Sequence, residues 1–249
     1  MIRPDYIPNT GWAIDRAKLA TANRGLLLDK YFAPKKKDDK NGSLPQWRSL
    51  CDSGLTPSAY PLAYKRWLDH TSGSVTFKGT LRNRMAIGLG IENVHEIGCR
   101  LHATYGVPVI PGSSLKGLLR AGLSRMPEYR EHVRPLFGHP ESGRGAVEVY
   151  DAWWVPSSGG SGLAPDVITV HHQKYYSSAG GTLPQDRESP IPNHFLTVTG
   201  DFYFSFRILA ETESEKWEKF IRDAAQSFLK LEGIGSKRSA GYGRFSKFS

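Results

Sequence analysis

Val198-Thr199-Gly200-Asp201-Phe202-Tyr203-Phe204-Ser205-Phe206-Arg207-Ile208-Leu209 is the stretch that decides the fold. Phe202, Phe204, Phe206 and Ile208 recur at every second position, which sets four large apolar side chains on one face of a β-strand. A helix is expected next. Thr212 and Glu215 have the spacing of a capping box, and Trp217, Phe220, Ile221, Ala224, Ala225 and Phe228 then recur at helical intervals as one core-facing stripe. Residues 242–248 read as a closing strand. This half of the chain is therefore β-α-β.

Toward the N-terminus the same order appears again. Residues 75–77 and 81–89 read as strand, with β-branched and apolar residues set between Lys78, Arg82 and Arg84. Residues 108–111 lead, extended, into a helix. Leu115, Leu118, Leu119 and Gly122 or Leu123 carry its helical spacing, Ser113 and Ser114 are N-cap types, and Pro127 ends it. Residues 146–155 read as the next strand. The order β-α-β-β-α-β is that of an α+β, ferredoxin-like core: an antiparallel sheet with both helices on one face. That domain is expected over 74–249, with a long insertion loop at about 157–197, a stretch that fits no single element. Residues 1–73, rich in Pro and charge, read as an irregular and helical extension packing on the core. Short helices are expected within 13–30 and 62–70, and a solvated charged loop at 35–42.

The chain has 249 residues, enough for a full core. Its 33 Lys and Arg against 24 Asp and Glu give a formal charge of 33 − 24 = +9, a field that favours polyanionic partners. Cys51 and Cys99, the two cysteines, lack metal-ligand spacing and are expected to stay reduced. The opening Met1-Ile2-Arg3-Pro4-Asp5 lacks the apolar h-region expected of a secretory signal, and no run approaches the roughly 18 apolar residues of a membrane span. The expected location is the cytoplasm.

Two glycine-punctuated segments carry the chemistry. The first is Ile110-Pro111-Gly112-Ser113-Ser114-Leu115-Lys116-Gly117, running into Leu118-Leu119-Arg120. A helix N-terminus there offers unpaired N–H groups and partial positive charge. Lys116 and Arg120, four residues apart, share the helical face opposite the leucines. The segment lacks both the glycine spacing and the Lys-Ser/Thr pair of a P-loop. The second is Gly233-Ile234-Gly235-Ser236-Lys237-Arg238-Ser239-Ala240-Gly241-Tyr242-Gly243. Its glycines permit the left-handed turns from which successive amides form an anion nest. A helix precedes this loop and a strand follows it, the reverse of a dinucleotide-binding turn. The candidate RNA-binding set is Gly112, Ser113, Ser114, Lys116 and Arg120 with Gly235, Ser236, Lys237, Arg238, Gly241 and Tyr242. Ordinary capping and a structural turn are the alternative readings of the same residues.

These segments together resemble the RAMP superfamily of CRISPR proteins. Gly88-Leu89-Gly90, Glu96, Leu101-His102-Ala103-Thr104-Tyr105-Gly106, residues 166–172 and Phe195-Leu196-Thr197-Val198 narrow the resemblance to the family of sixth Cmr subunits of type III-B effector complexes. It covers about 75–249. It implies a non-catalytic subunit that binds CRISPR guide RNA near its 3′ end, meets complementary target RNA, and assembles with other Cmr and RAMP subunits. RAMP backbone subunits that cut RNA carry an aspartate upstream of the first glycine segment. Glu96 stands near that place here, so metal-assisted cutting stays open as chemistry. The alternative activity is a RAMP-type endoribonuclease that processes guide precursors, with His171, His172 or Tyr175 as catalyst. Adjacent residues on a strand face opposite ways, so His171 and His172 do not readily act on one phosphate. A structural or stacking role suits them better. No metal and no cofactor is implied. The 171–192 stretch is expected to wedge between guide and target bases.

Overall fold

A computed structural model of the chain describes residues 23–31, 48, 50–51, 58–91, 97–141, 143–156, 158, 160–170, 175, 178, 181, 183, 191–209 and 214–249. The capping-box residue Thr212, the 35–42 loop and most of the 13–30 segment lie outside them, as do Glu96, His171 and His172.

The expected strand forms as β7 (Asp201–Ile208) and lies in the middle of the sheet. It pairs antiparallel with β1 (Val75–Leu81), which pairs antiparallel with β8 (Phe245–Phe248). On its other side it takes β3 (Val147–Val149) and β4 (Ala152–Trp154), and β2 (Val109–Ile110) adds at the edge of β4. The path β8-β1-β7-β4, every pair antiparallel, is the ferredoxin-like arrangement expected from the element order.

Two helices cover the face that bears the phenylalanines. Helix α2 (Gly112–Ser124) buries Leu115, Leu118, Leu119 and Leu123, and α4 (Ser214–Leu231) buries Ile221, Ala225 and Phe228. Phe202, Phe204 and Phe206 are sealed beneath them, each side chain contributing about 1.5–3 kcal/mol by burial. Gly122 lets the helices approach, since a Cβ there would run into the Phe228 ring. The opposite face is not bare. Helix α1 (Tyr60–His70) lies over Tyr203, the residue that alternates with the phenylalanines; Tyr64 packs edge-on to it, and the Thr71 hydroxyl is 3.1 Å from its hydroxyl. Trp67 of α1 stacks on Trp153 of β4 with ring centroids 5.0 Å apart. A short helix, α3 (Val133–Phe137), follows a 3₁₀ turn after α2.

Three expectations change. Residues 146–155 are two strands, because the register on β7 slips by one between Val149↔Phe206 and Trp153↔Tyr203. That bulge turns Asp151 out of the ladder. The 157–197 stretch is not a plain loop. Its ends form a hairpin, β5 (Leu163–Val170) with β6 (Ile191–Val198), in continuous register from Leu163↔Val198 to Val170↔Ile191. Finally, β1 stops at Leu81, and residues 82–89 run on without joining a ladder. Arg84 and Ala86 accept hydrogen bonds from Gly243 and Ser236, whereas Met85 between them exchanges both with Val198. This thread has a strand's period but serves two neighbours, the C-terminal loop on one side and the hairpin on the other.

Candidate nucleic-acid interface

Helix α2 begins at Gly112 with Pro111 as its N-cap, and no side chain of its own caps it. Ser113 and Ser114 sit inside the first turn instead, both exposed. The cap comes from the bulge: the Asp151 carboxylate accepts the Gly112 N–H at 2.7 Å. Gly112 is buried, and a Cβ there would overlap the Val149 carbonyl oxygen. Its lack of a side chain thus serves the chain's own strands, and the helix dipole already faces one carboxylate.

The C-terminal loop is a closed knot. Ile234 donates to the Gly243 carbonyl at 2.9 Å, Gly233 donates to Phe228, and Ser236 to Ala86. Gly233, Gly235, Gly241 and Gly243 all have positive φ. Lys237 also does, at φ 56° and ψ 32°, and it is the non-glycine residue with positive φ among the described residues. A left-handed lysine costs free energy that glycine there would not, so the side chain is retained against local preference.

The two glycine segments meet. Ser114, Gly117, Leu118, Ala121 and Arg125 of α2 and its end form one wall of a cleft of about 390 Å³, and Glu232, Gly233, Ile234, Gly235, Ser236 and Arg238 form the other, with Ile87 and Gly88 at its base. Of the expected residues, Ser114, Gly235, Ser236 and Arg238 line this cleft, and Lys237 stands between two of them. Lys116 and Arg120 do not line it. At about 100° per residue, Lys116 lies about 130° and Arg120 about 90° round the helix from the middle of the Ser114-Gly117-Ala121 face. Gly117 is exposed within the helix, and a Cβ there would meet nothing within 4 Å.

Sequence reading missed Arg125 and Glu232. Arg125 bonds the Glu232 carboxylate, and Arg238 reaches the same group at 3.8 Å. A small-residue stripe at Ser114, Gly117 and Ala121, read one more turn, would have found Arg125. No local pattern points to Glu232. The pairing leaves the cleft net cationic, two guanidinium groups against one carboxylate, and the exposed Lys237 lies in the chain between the lining residues Ser236 and Arg238.

Gly241 and Tyr242 lie on the far side of the loop. The Tyr242 hydroxyl donates to Asp166 on the hairpin at 2.8 Å, and Arg84 pairs with the same carboxylate at 3.2 Å. Burial, then the Asp166 bond, raises the Tyr242 pKa, so the phenol remains a donor. Burial likewise pushes the Cys99 thiol up to about 12, where it is not a thiolate at neutral pH. Among the described residues no cluster of three metal-ligating side chains occurs, and no helix is long and apolar enough to cross a membrane.

The profile of the RAMP superfamily matches residues 78–246. A curated relative, the CRISPR system Cmr subunit Cmr6 of Pyrococcus furiosus, is 26% identical over 265 aligned positions, covering 78% of this chain and 75% of its own length. Among solved structures, a chain of the type III-B Cmr-β complex bound to cognate target RNA superposes with a TM-score of 0.61 at 22% identity, over 93% of this chain and 84% of that one. The crystal structure of P. furiosus Cmr6 gives 0.44 at 23% identity, over 70% of this chain and 97% of that one.

Proposed function

The chain belongs to the RAMP superfamily, and we propose that it is a non-catalytic, guide-RNA-binding subunit of a CRISPR effector complex of the type III-B (Cmr) class. Its partners are guide RNA, the complementary target RNA, and other Cmr and RAMP subunits, and its place is near the guide 3′ end. The observation that carries this reading is the convergence of both glycine segments on one cationic cleft. Two positions there are unfavourable to the isolated chain: a helical glycine with empty space above it and a left-handed lysine. Residues kept against local preference mark sites whose purpose is outside the fold. The similarity to Cmr6 supports the assembly, and the half-buried Lys116 and exposed Arg120 extend the positive surface along α2.

Contacts of this kind hold the ribose-phosphate strand irrespective of sequence, while base pairing reads the target. Each lysine contact with a single-stranded phosphate contributes about 0.7 to the slope of log K against log salt. The double variant Lys116→Ala, Lys237→Ala is therefore expected to bind guide RNA more weakly and to flatten that slope by about 1.4. An unchanged slope sinks the assignment. Incubating the purified chain with labelled precursor RNA, with and without EDTA, tests the non-catalytic half. Specific cleavage abolished by His171→Ala or Glu96→Ala would make it a nuclease.

A further inference from the structure

The C-terminal loop has a second hollow on its other side. It has a volume of about 480 Å³ and is lined by Asn83, Arg84, Asp166, Thr199, Tyr242 and the Ala240-Gly241 turn. We propose that this pocket receives a splayed nucleobase of the strand whose phosphates cross the loop, an inference that rests on the RNA-binding reading above.

Its walls are prepared for a flat polar ligand. The Tyr242 ring packs behind on Phe195, with centroids 6.1 Å apart, and its hydroxyl is fixed on Asp166. That carboxylate is fully committed: it also pairs with Arg84 and accepts the Val167 N–H at 2.8 Å. Arg84 is anchored in turn on the Pro165 carbonyl at 2.8 Å. The ring is therefore oriented before any ligand arrives, and the Asp166 charge is offset by a guanidinium. Neither the Asn83 amide nor the Thr199 hydroxyl has a hydrogen-bond partner among the described residues, so both are available to a base edge. Gly241 leaves the rim open, since a Cβ there would meet nothing within 4 Å. The volume lies within the range of about 300–1,000 Å³ usual for ligand pockets. A ring wall beside free amide and hydroxyl groups is how unstacked bases are recognised in single strands. A peptide would lack a reason to need the cationic loop next door.

The test is binding of the full chain, by fluorescence anisotropy, to an oligouridylate and to the matching abasic ribose-phosphate oligomer. Asn83→Ala, at an exposed position, is expected to weaken oligouridylate binding about three- to tenfold and to leave the abasic oligomer unaffected. A 5-iodouridine strand is expected to photocrosslink at Tyr242. Equal effects of Asn83→Ala on both oligomers, or no effect on either, overturn the pocket while leaving lysine-dependent, salt-sensitive binding intact. Absence of binding to both oligomers defeats the RNA-binding reading and the pocket with it. Protection of Asn83 and Tyr242 by a protein subunit, independent of bases, assigns the hollow to a protein contact and also overturns the proposal.

Discussion

The glycines of the C-terminal loop and those of α2 look alike in sequence, yet they answer different physical demands. In the loop, Gly233, Gly235 and Gly243 each combine positive φ with a neighbouring backbone group too close to admit a Cβ. Those glycines give the loop its shape, and its exposed cationic groups are the side chains of Lys237 and Arg238. In α2 the helix supplies the shape. Gly112 is filled from behind by the β3–β4 bulge, whereas Gly117, five residues on, has nothing over it. The lesson is that glycine as architecture and glycine as access are separable only when the surrounding atoms are known.

The sharpest way to break that comparison is to add a methyl group at an architectural position. In Gly243→Ala the new Cβ would overlap the Ile234 carbonyl at a φ of 75°, so a loss of about 3 kcal/mol or more is expected in denaturant unfolding. Gly112→Ala should also destabilise, through collision with Val149. A Gly243→Ala protein as stable as the parent would show that the loop's closure is not what the glycine serves.

A smaller effect is expected at Asp151, which ties the first segment to the sheet. Asp151→Ala removes the carboxylate from the Gly112 N–H and should cost about 1 kcal/mol, the usual worth of a helix cap, with Asp151→Asn retaining most of it. The vacated N-terminus should then make the alanine variant gain more stability from added sulfate than the parent does, read by thermal unfolding. Equal gains would mean that Asp151 does not occupy an anion position.

These long-range ties explain what sequence could show. The phenylalanine alternation in β7 and the apolar stripes of α2 and α4 are local periodicities backed by burial, so they were legible together with the ferredoxin-like order. The cap on α2 was not, because Asp151 is contributed by a bulge on a different strand pair. The hairpin β5–β6 was hidden by Pro165, Asp166 and Pro192, residues disfavoured in strands. Residues 82–89 looked like a ladder strand because Met85, Ala86 and Ile87 are buried, but their hydrogen bonds go to two separate partners. In the site, the glycines and cations were legible as types. Which of them face the cleft depended on α2's rotation, and that put Arg125 in and Lys116 out.

The smallest expected change in stability is the most discriminating, since its sign is opposite to the others. Gly117 sits inside a helix, exposed, with no neighbour for a Cβ to strike. By helix propensity alone, Gly117→Ala should stabilise the isolated chain by about 0.5–1 kcal/mol. If the cleft holds a ribose-phosphate strand close to that helix face, the same methyl group stands in its way. RNA affinity should then fall about fivefold, near 1 kcal/mol, while the salt slope stays fixed because no charge has changed. A variant that is more stable and binds RNA equally well would return Gly117 to the architectural class and leave the cleft without its access point. One that is less stable would show that the helix face is already occupied by the chain itself.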